Sequence, residues 1–205
     1  MKLENKNVPF IGNKEIKLKA DSLRKRIWGD EIPVDIESII EIKLKIRITP
    51  VPGFLKQFGV DALITSNFSE IYVDLDCYEN EKLFHRFRFS LAHELGHYIL
   101  HENYYRSLNL KSTDDILSFY NSDDYNRSNL ETQANKFANY FLVPREQLNQ
   151  VKTNILKKIR NSYDISSVDE KTLNSYLANY IFPEFSVSAE TAEIALNDLN
   201  NYFQN

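Results

Sequence analysis

The sequence predicts an α+β fold: a small three-stranded sheet packed against one long helix, followed by a helical C-terminal part. Two observations carry this. Three short runs between residues 44 and 76 have the composition and alternation of strands, and every other periodic segment has helical spacing. The strands therefore segregate from most of the helices, the pattern of an α+β rather than a βαβ chain. With 205 residues, the chain can form one domain with its own hydrophobic core, or a domain with a helical appendage.

The elements follow in order. Lys14 to Trp28 reads as a helix with Ile16, Ala20, Leu23 and Ile27 on one face. Pro33 suits a first helical turn and is expected to open a second helix, PVDIESIIEI. LKIRITPVP then alternates apolar and charged residues. VDALIT and EIYVDLD are rich in β-branched residues, and the turn-like SNFS separates them. A long helical pattern runs from Glu81 to His101. The polar stretch from Asn103 to Arg127 is expected to be irregular, with a short helix around Ile116 to Tyr120. Leu130 to Leu142 is helical up to Pro144, which cannot continue the hydrogen-bond ladder. Further helices are expected over Glu146 to Arg160, Glu170 to Ile181 and Ala189 to Phe203. Pro183 should separate the last two, and Ser188 should cap the final one. The boundary between a catalytic domain, 1–144, and a helical part, 145–205, is placed at Pro144.

Composition narrows the function. Twenty-five basic residues face 29 acidic ones, a net charge of −4, so no global field favours nucleic acid. The cluster Lys157, Lys158 and Arg160 reads as a solvated helix face. No apolar run is long enough to span a membrane. MKLENKNVPF lacks the apolar core of a signal peptide, and the expected location is cytoplasmic. A single cysteine, Cys77, excludes an internal disulfide and a Cys-x-x-Cys metal knuckle.

The chemistry concentrates in FSLAHELGHYILH, Phe89 to His101. At about 100° per residue, Phe84, Phe87, Leu91, Leu95 and Tyr98 fall on one stripe, the core face. His93, Glu94 and His97 fall on the other side with Ser90 and His101. Histidines at i and i+4 project side by side and can bind one metal ion. Glu94 points beside that pair, where it can take a proton from a water that the metal acidifies and pass it to the leaving amine. Gly96 costs the helix roughly 1 kcal/mol against alanine, which makes sense if another backbone or a substrate must come close. Without a metal, the same residues would be an ordinary solvated polar face.

Two histidines need a third protein ligand. A third histidine further along in the extended zincin pattern is absent: Asn103 stands in its place. LETQANKFANYFLVP offers Glu131. Leu130, Phe137 and Phe141 form the core stripe of that helix, while Ala134 and Ala138 are small enough for close helix approach. Glu131 would then face the histidine pair, with Asn135 one turn on as a hydrogen-bonding support. His101 and Asp123 are the rival ligands.

RFRFSLAHELGHYILH followed by ETQANKFANYFLVP resembles the ImmA/IrrE family of metallopeptidases, gluzincin-like enzymes of prokaryotes. PVDIESI, EIYVDLD and FSVSAETAEIALNDL fit the same layout, so the resemblance extends over roughly residues 14 to 200. It implies a zincin-like fold and a metallo-endopeptidase holding zinc, or alternatively manganese, on His93, His97 and Glu131, with Glu94 as the base. Many members cleave a helix-turn-helix repressor of the XRE type, which implies a protein substrate of that class and derepression of stress or mobile-element genes. Two departures from the resemblance are expected: the long polar segment between His97 and Glu131, around Asn109 to Asn126, and no room within these 205 residues for the C-terminal sensor domain some members carry.

Two other classes compete. One is a non-catalytic, toxin-like or repressor-binding partner with a structural or dormant metal site. The other is a DNA-binding regulator using the C-terminal helices, against which Glu184, Glu190, Glu193 and Asp198 argue.

Overall fold

The computed structural model describes residues 10–108, 125–161, 164–165 and 167–204. Nine α-helices and a three-stranded sheet are seen among them. The expected helix around Ile116 to Tyr120 and the rival ligand Asp123 lie outside the described residues.

Helix α1 spans Asn13–Ile27, buries Ile16, Ala20 and Leu23, and packs against the later helix Tyr125–Leu142. The second helix does not open at Pro33. Asp35 caps α2 (Ile36–Ser38) by accepting from the Ser38 backbone N–H and hydroxyl at 3.1 and 2.7 Å, and a wider turn over Ile39–Lys43 continues it. A carboxylate that satisfies an orphan N–H decides the helix start more strongly than a preset proline φ.

Strands β1 (Arg47–Val51), β2 (Ala62–Ile64) and β3 (Glu70–Asp74) form a mixed sheet in the order β1–β3–β2. β1 runs parallel to β3, pairing Ile48 with Ile71, and β2 runs antiparallel to it, pairing Leu63 with Tyr72. Ile71 and Val73 are fully buried at the period of two that a pleated strand imposes. Two short helices interrupt the β-rich region: α3 (Phe54–Phe58), bounded by Gly53 and Gly59 at φ 68° and 73°, and α4 (Leu75–Glu79). β3 stops at Asp74 because that carboxylate accepts from the N–H groups of Asp76 and Cys77 and caps α4, while also accepting from Leu55 N–H.

Helix α5 (Phe84–Leu108) follows a single 3₁₀ turn and runs two turns beyond His101. It is buried on both sides. Phe87, Leu91 and Leu95 face the core, while Glu94, His97 and His101 are buried under α6 (Tyr125–Leu142). Phe84, at its start, is exposed. The two helices approach closely at Gly96, where an added Cβ would lie 3.1 Å from Ala134 Cα and 3.2 Å from its carbonyl oxygen.

Helices α7 (Arg145–Arg160), α8 (Glu170–Phe185) and α9 (Ala189–Gln204) complete the chain. Leu148, Leu177, Ile181 and Leu196 join the same hydrophobic cluster as the sheet and α5. Pro183 does not separate α8 from α9: it sits in the last turn of α8, where its missing N–H forfeits one bond. The helix ends instead at Ser186, in the left-handed region at φ 50°. Ser188 Oγ then accepts from Thr191 N–H at 3.1 Å and starts α9. No described helix is long and apolar enough to cross a membrane.

Candidate metal centre

One turn of α5 carries His93 above His97, and their Nε2 atoms lie 2.9 Å apart. Across the gap, α6 presents Glu131. Its two carboxylate oxygens stand 3.0 Å from His93 Nε2 and 3.7 Å from His97 Nε2. Ligand atoms bound to one tetrahedral zinc at 2.0–2.2 Å lie roughly 3.3–3.5 Å from one another, and the observed spacings bracket that value.

The far side of each ring is also engaged. His93 Nδ1 pairs with Asn135 Oδ1 at 2.8 Å. An amide oxygen only accepts, so the proton of neutral His93 sits on Nδ1. His97 Nδ1 meets His101 Nδ1 at 3.0 Å, and His101 Nε2 meets Gln133 Oε1 at 2.9 Å. Gln133 Oε1 takes the His101 Nε2–H, so His101 Nδ1 is an acceptor and His97 Nδ1 a donor. With both rings neutral, both Nε2 atoms then carry lone pairs, and a proton added to His93 would sit on Nε2 facing Glu131. Two imidazole lone pairs and a carboxylate converge on one point, a donor set that suits a divalent cation.

Electrostatics follow from the burial. Burial lowers the His93 pKa, but the bond to Glu131 and the charges of Glu94 and Glu131 outweigh it and leave the pKa raised. His97 is held well below the ordinary histidine value, by burial first and then by His93. Burial likewise pushes His101 down to about 4, so its ring is neutral at physiological pH.

Glu94 is buried beside the histidines, and its Oε2 accepts from the Ile64 backbone N–H at 2.7 Å. Burial raises its pKa to about 7; His93 opposes this and Glu131 adds to it. A carboxyl group that titrates near neutrality can both accept and return a proton. The ligand atoms of His93, Glu94 and His97 lie within 4.8 Å of one another, so distance alone would also admit Glu94 as a ligand. Glu131 offers one oxygen to each ring, whereas Glu94 has an oxygen committed to Ile64.

Residues 79–197 match the model of one protein family, described as the IrrE N-terminal-like domain, Peptidase M78. That is more than half of the chain. The protein belongs to this family of metal-dependent peptidases. No match is found among curated proteins. The family match starts at the end of α4, takes in α5 to α8 and ends within α9, so the sheet lies outside it. The sheet nevertheless supplies the Ile64 N–H that holds Glu94.

Beside the Peptidase M78 centre, a cleft of about 710 Å³ opens between α5, α6 and the start of α9, with Ser90, Thr132, Asn135, Ser188 and Thr191 in its walls. It flanks the centre and reaches it through Asn135, the partner of His93.

His93, Glu94, His97 and Glu131 lie together in the structure, and Asn135 Oδ1 lies 2.8 Å from His93 Nδ1. His101 does not share the convergence point; it stands behind His97. Sequence reasoning missed Gln133, the Ile64 N–H, and Arg127, whose Nε lies 4.0 Å from Glu131 Oε1. Only Arg127 had a readable signal, as the residue four positions before Glu131 on the same helix.

Proposed function

We propose that this protein is a metallo-endopeptidase that cuts a regulatory protein, in which His93, His97 and Glu131 hold zinc (or manganese) and Glu94 is the catalytic base. The convergence of three acceptors on one point, with a carboxyl group of pKa near 7 beside it, carries the reading. Held by His93, His97 and Glu131, a bound cation would supply a Lewis acid able to polarise a peptide carbonyl and acidify a water. Every other task falls to the chain. Asn135 and His101 orient the two rings. Ile64 N–H fixes one oxygen of Glu94 and leaves the other to take the proton of the attacking water. The same carboxyl then returns that proton to the departing amine nitrogen. The cleft beside Asn135 receives the chain next to the scissile bond.

The substrate class rests on the resemblance to the ImmA/IrrE family: a helix-turn-helix repressor of the XRE type, whose cleavage derepresses stress or mobile-element genes in the cytoplasm. The test mixes the metal-loaded protein with the XRE-type repressor encoded nearest to it and follows products by mass spectrometry. Defined cleavage by the parent is expected. Glu94→Gln keeps the shape and the ligands, and should cut at least ~10²-fold more slowly, the usual scale for losing a general base. If the metal-loaded parent leaves the repressor intact while both proteins bind it equally, the centre is dormant and the protein is a binding partner.

A further inference from the structure

We propose that His101 and Gln133 are positioning residues that set the tautomer of His97 and thereby how tightly the centre takes a metal. The inference rests on the reading of His97 as a ligand. His97 Nδ1, His101 Nδ1, His101 Nε2 and Gln133 Oε1 form a chain of two hydrogen bonds, 3.0 and 2.9 Å long. All three side chains are at most 5 % exposed. Water therefore cannot substitute for a missing partner, and each proton in the chain has one place to go.

Such a chain has two directions. With the Gln133 oxygen facing the ring, as here, protons point away from the centre: His97 donates to His101, and His101 donates to Gln133. His97 Nε2 then offers its lone pair. If the Gln133 amide turned to present its –NH₂ group, both bonds would reverse. His97 would carry its proton on Nε2, pointing into the centre, and could not ligate. His93 has no such relay, because its partner Asn135 bonds it directly. The two ligands are thus set by different devices, one a single amide and the other a three-residue chain crossing from α5 to α6 and ending two residues from Glu131. Gln133 and Glu131 share a turn of α6, so the movement that would displace one displaces the other.

The experiment compares substitutions that keep or remove an acceptor. Gln133→Glu keeps one; Gln133→Met, of similar length, does not. His101→Asn keeps an oxygen where Nδ1 stood; His101→Phe keeps the ring without the acceptor. Zinc affinity is measured by competition with a chromophoric chelator, and the His97 ring nitrogens of the zinc-loaded protein are assigned by ¹⁵N NMR. Gln133→Met and His101→Phe should weaken zinc binding by about 10–100-fold, the usual scale for losing such a support, while Gln133→Glu and His101→Asn stay within about threefold of the parent. In the parent, the Nδ1–H of His97 should exchange slowly with solvent, and this protection should be lost in the two acceptor-free variants.

A side chain that merely filled space would lower the melting temperature of the metal-free protein in all four variants without sorting them by acceptor. The relay is overturned if Gln133→Met and Gln133→Glu bind zinc alike, or if both acceptor-free variants keep the parent affinity. His97→Ala runs alongside: if it binds zinc as the parent does, the ligand reading itself fails, whatever the relay variants do.

Discussion

Arg145 and His97 are about equally buried, at 2 % and 1 % exposure, yet they do opposite things with that burial. Arg145 commits its two terminal nitrogens to nearby oxygens, while its Nε stays without a partner among the described residues. Its guanidinium donates to Val143 O at 2.6 Å and Asn139 Oδ1 at 2.5 Å, reaches Asp198 at 3.4 Å, and lies over the Tyr140 ring. Arg88 behaves alike, donating to Ser186 O and Val34 O, and Arg24 donates to Gly29 O. In each case donors meet carbonyls at a bend where a helix or loop leaves acceptors free, and this pins the bend. The histidine cluster is paired only on its outer side. On its inner side, the ligand-type atoms of His93, His97 and Glu131 face one another at 2.9 to 3.7 Å. Buried donors that meet nearby carbonyls are architecture; ligand-type atoms that converge on one point are a donor set for a cation.

The comparison breaks first at the ligands. His93→Ala or His97→Ala should abolish high-affinity metal binding, because two ligands cannot hold the ion against buffer and chelator. Glu131→Ala should weaken it strongly by removing a charged arm, and Glu131→Gln should also bind poorly despite its unchanged shape. Isothermal titration of the metal-free proteins measures all four. Parent-like affinity in both Glu131 variants would make Glu131 a bystander and return attention to Asp123.

On the arginine side the prediction concerns stability alone. Arg145→Met leaves Val143 O and Asn139 without their donor, a loss of about 3 kcal/mol, read as a lower urea midpoint. The folded fraction should bind zinc as the parent does, since Arg145 touches no ligand. A large change in zinc affinity would mean that the two clusters are coupled through α6.

What was legible in the sequence divides along the same line. His93, Glu94 and His97 could be read because a helix converts spacing into direction. Glu131 could be read less directly, through the small residues Ala134 and Ala138 beside it. Gln133 and Ile64 could not, because they meet their partners across separate elements and no spacing records such a contact. His101 was visible as a histidine on the correct side of α5, but its rise along the axis puts it behind His97. The three strands of an antiparallel or mixed sheet were legible, whereas their order, β1–β3–β2, was not. Asp35 and Asp74 were the hidden punctuation: each is an unremarkable carboxylate until its backbone partners are known, and each overrode a boundary drawn from proline or from strand composition.

The smallest expected effect lies where the two kinds of burial meet. Gly96→Ala should favour the helix by roughly 1 kcal/mol, but the new Cβ would stand 3.1 Å from Ala134 Cα and 3.3 Å from Phe137 Cβ. A side-chain tip could swing aside. Ala134 Cα cannot, so relief requires α6 to retreat by a few tenths of an ångström. Overpacking of this kind typically costs ~1–3 kcal/mol, and the helix-propensity gain offsets part of it. The net change in stability of the metal-free protein should therefore be on the order of 1 kcal/mol or less. The retreat, however, carries Glu131, Gln133 and Asn135 with it, since all three ride on α6. Zinc affinity should fall several-fold in a variant that melts almost like the parent. Unfolding in EDTA and chelator competition read the two quantities separately. If Gly96→Ala is more stable and binds zinc unchanged, the close approach at Gly96 is packing only, and the spacing of the centre is set elsewhere along α6.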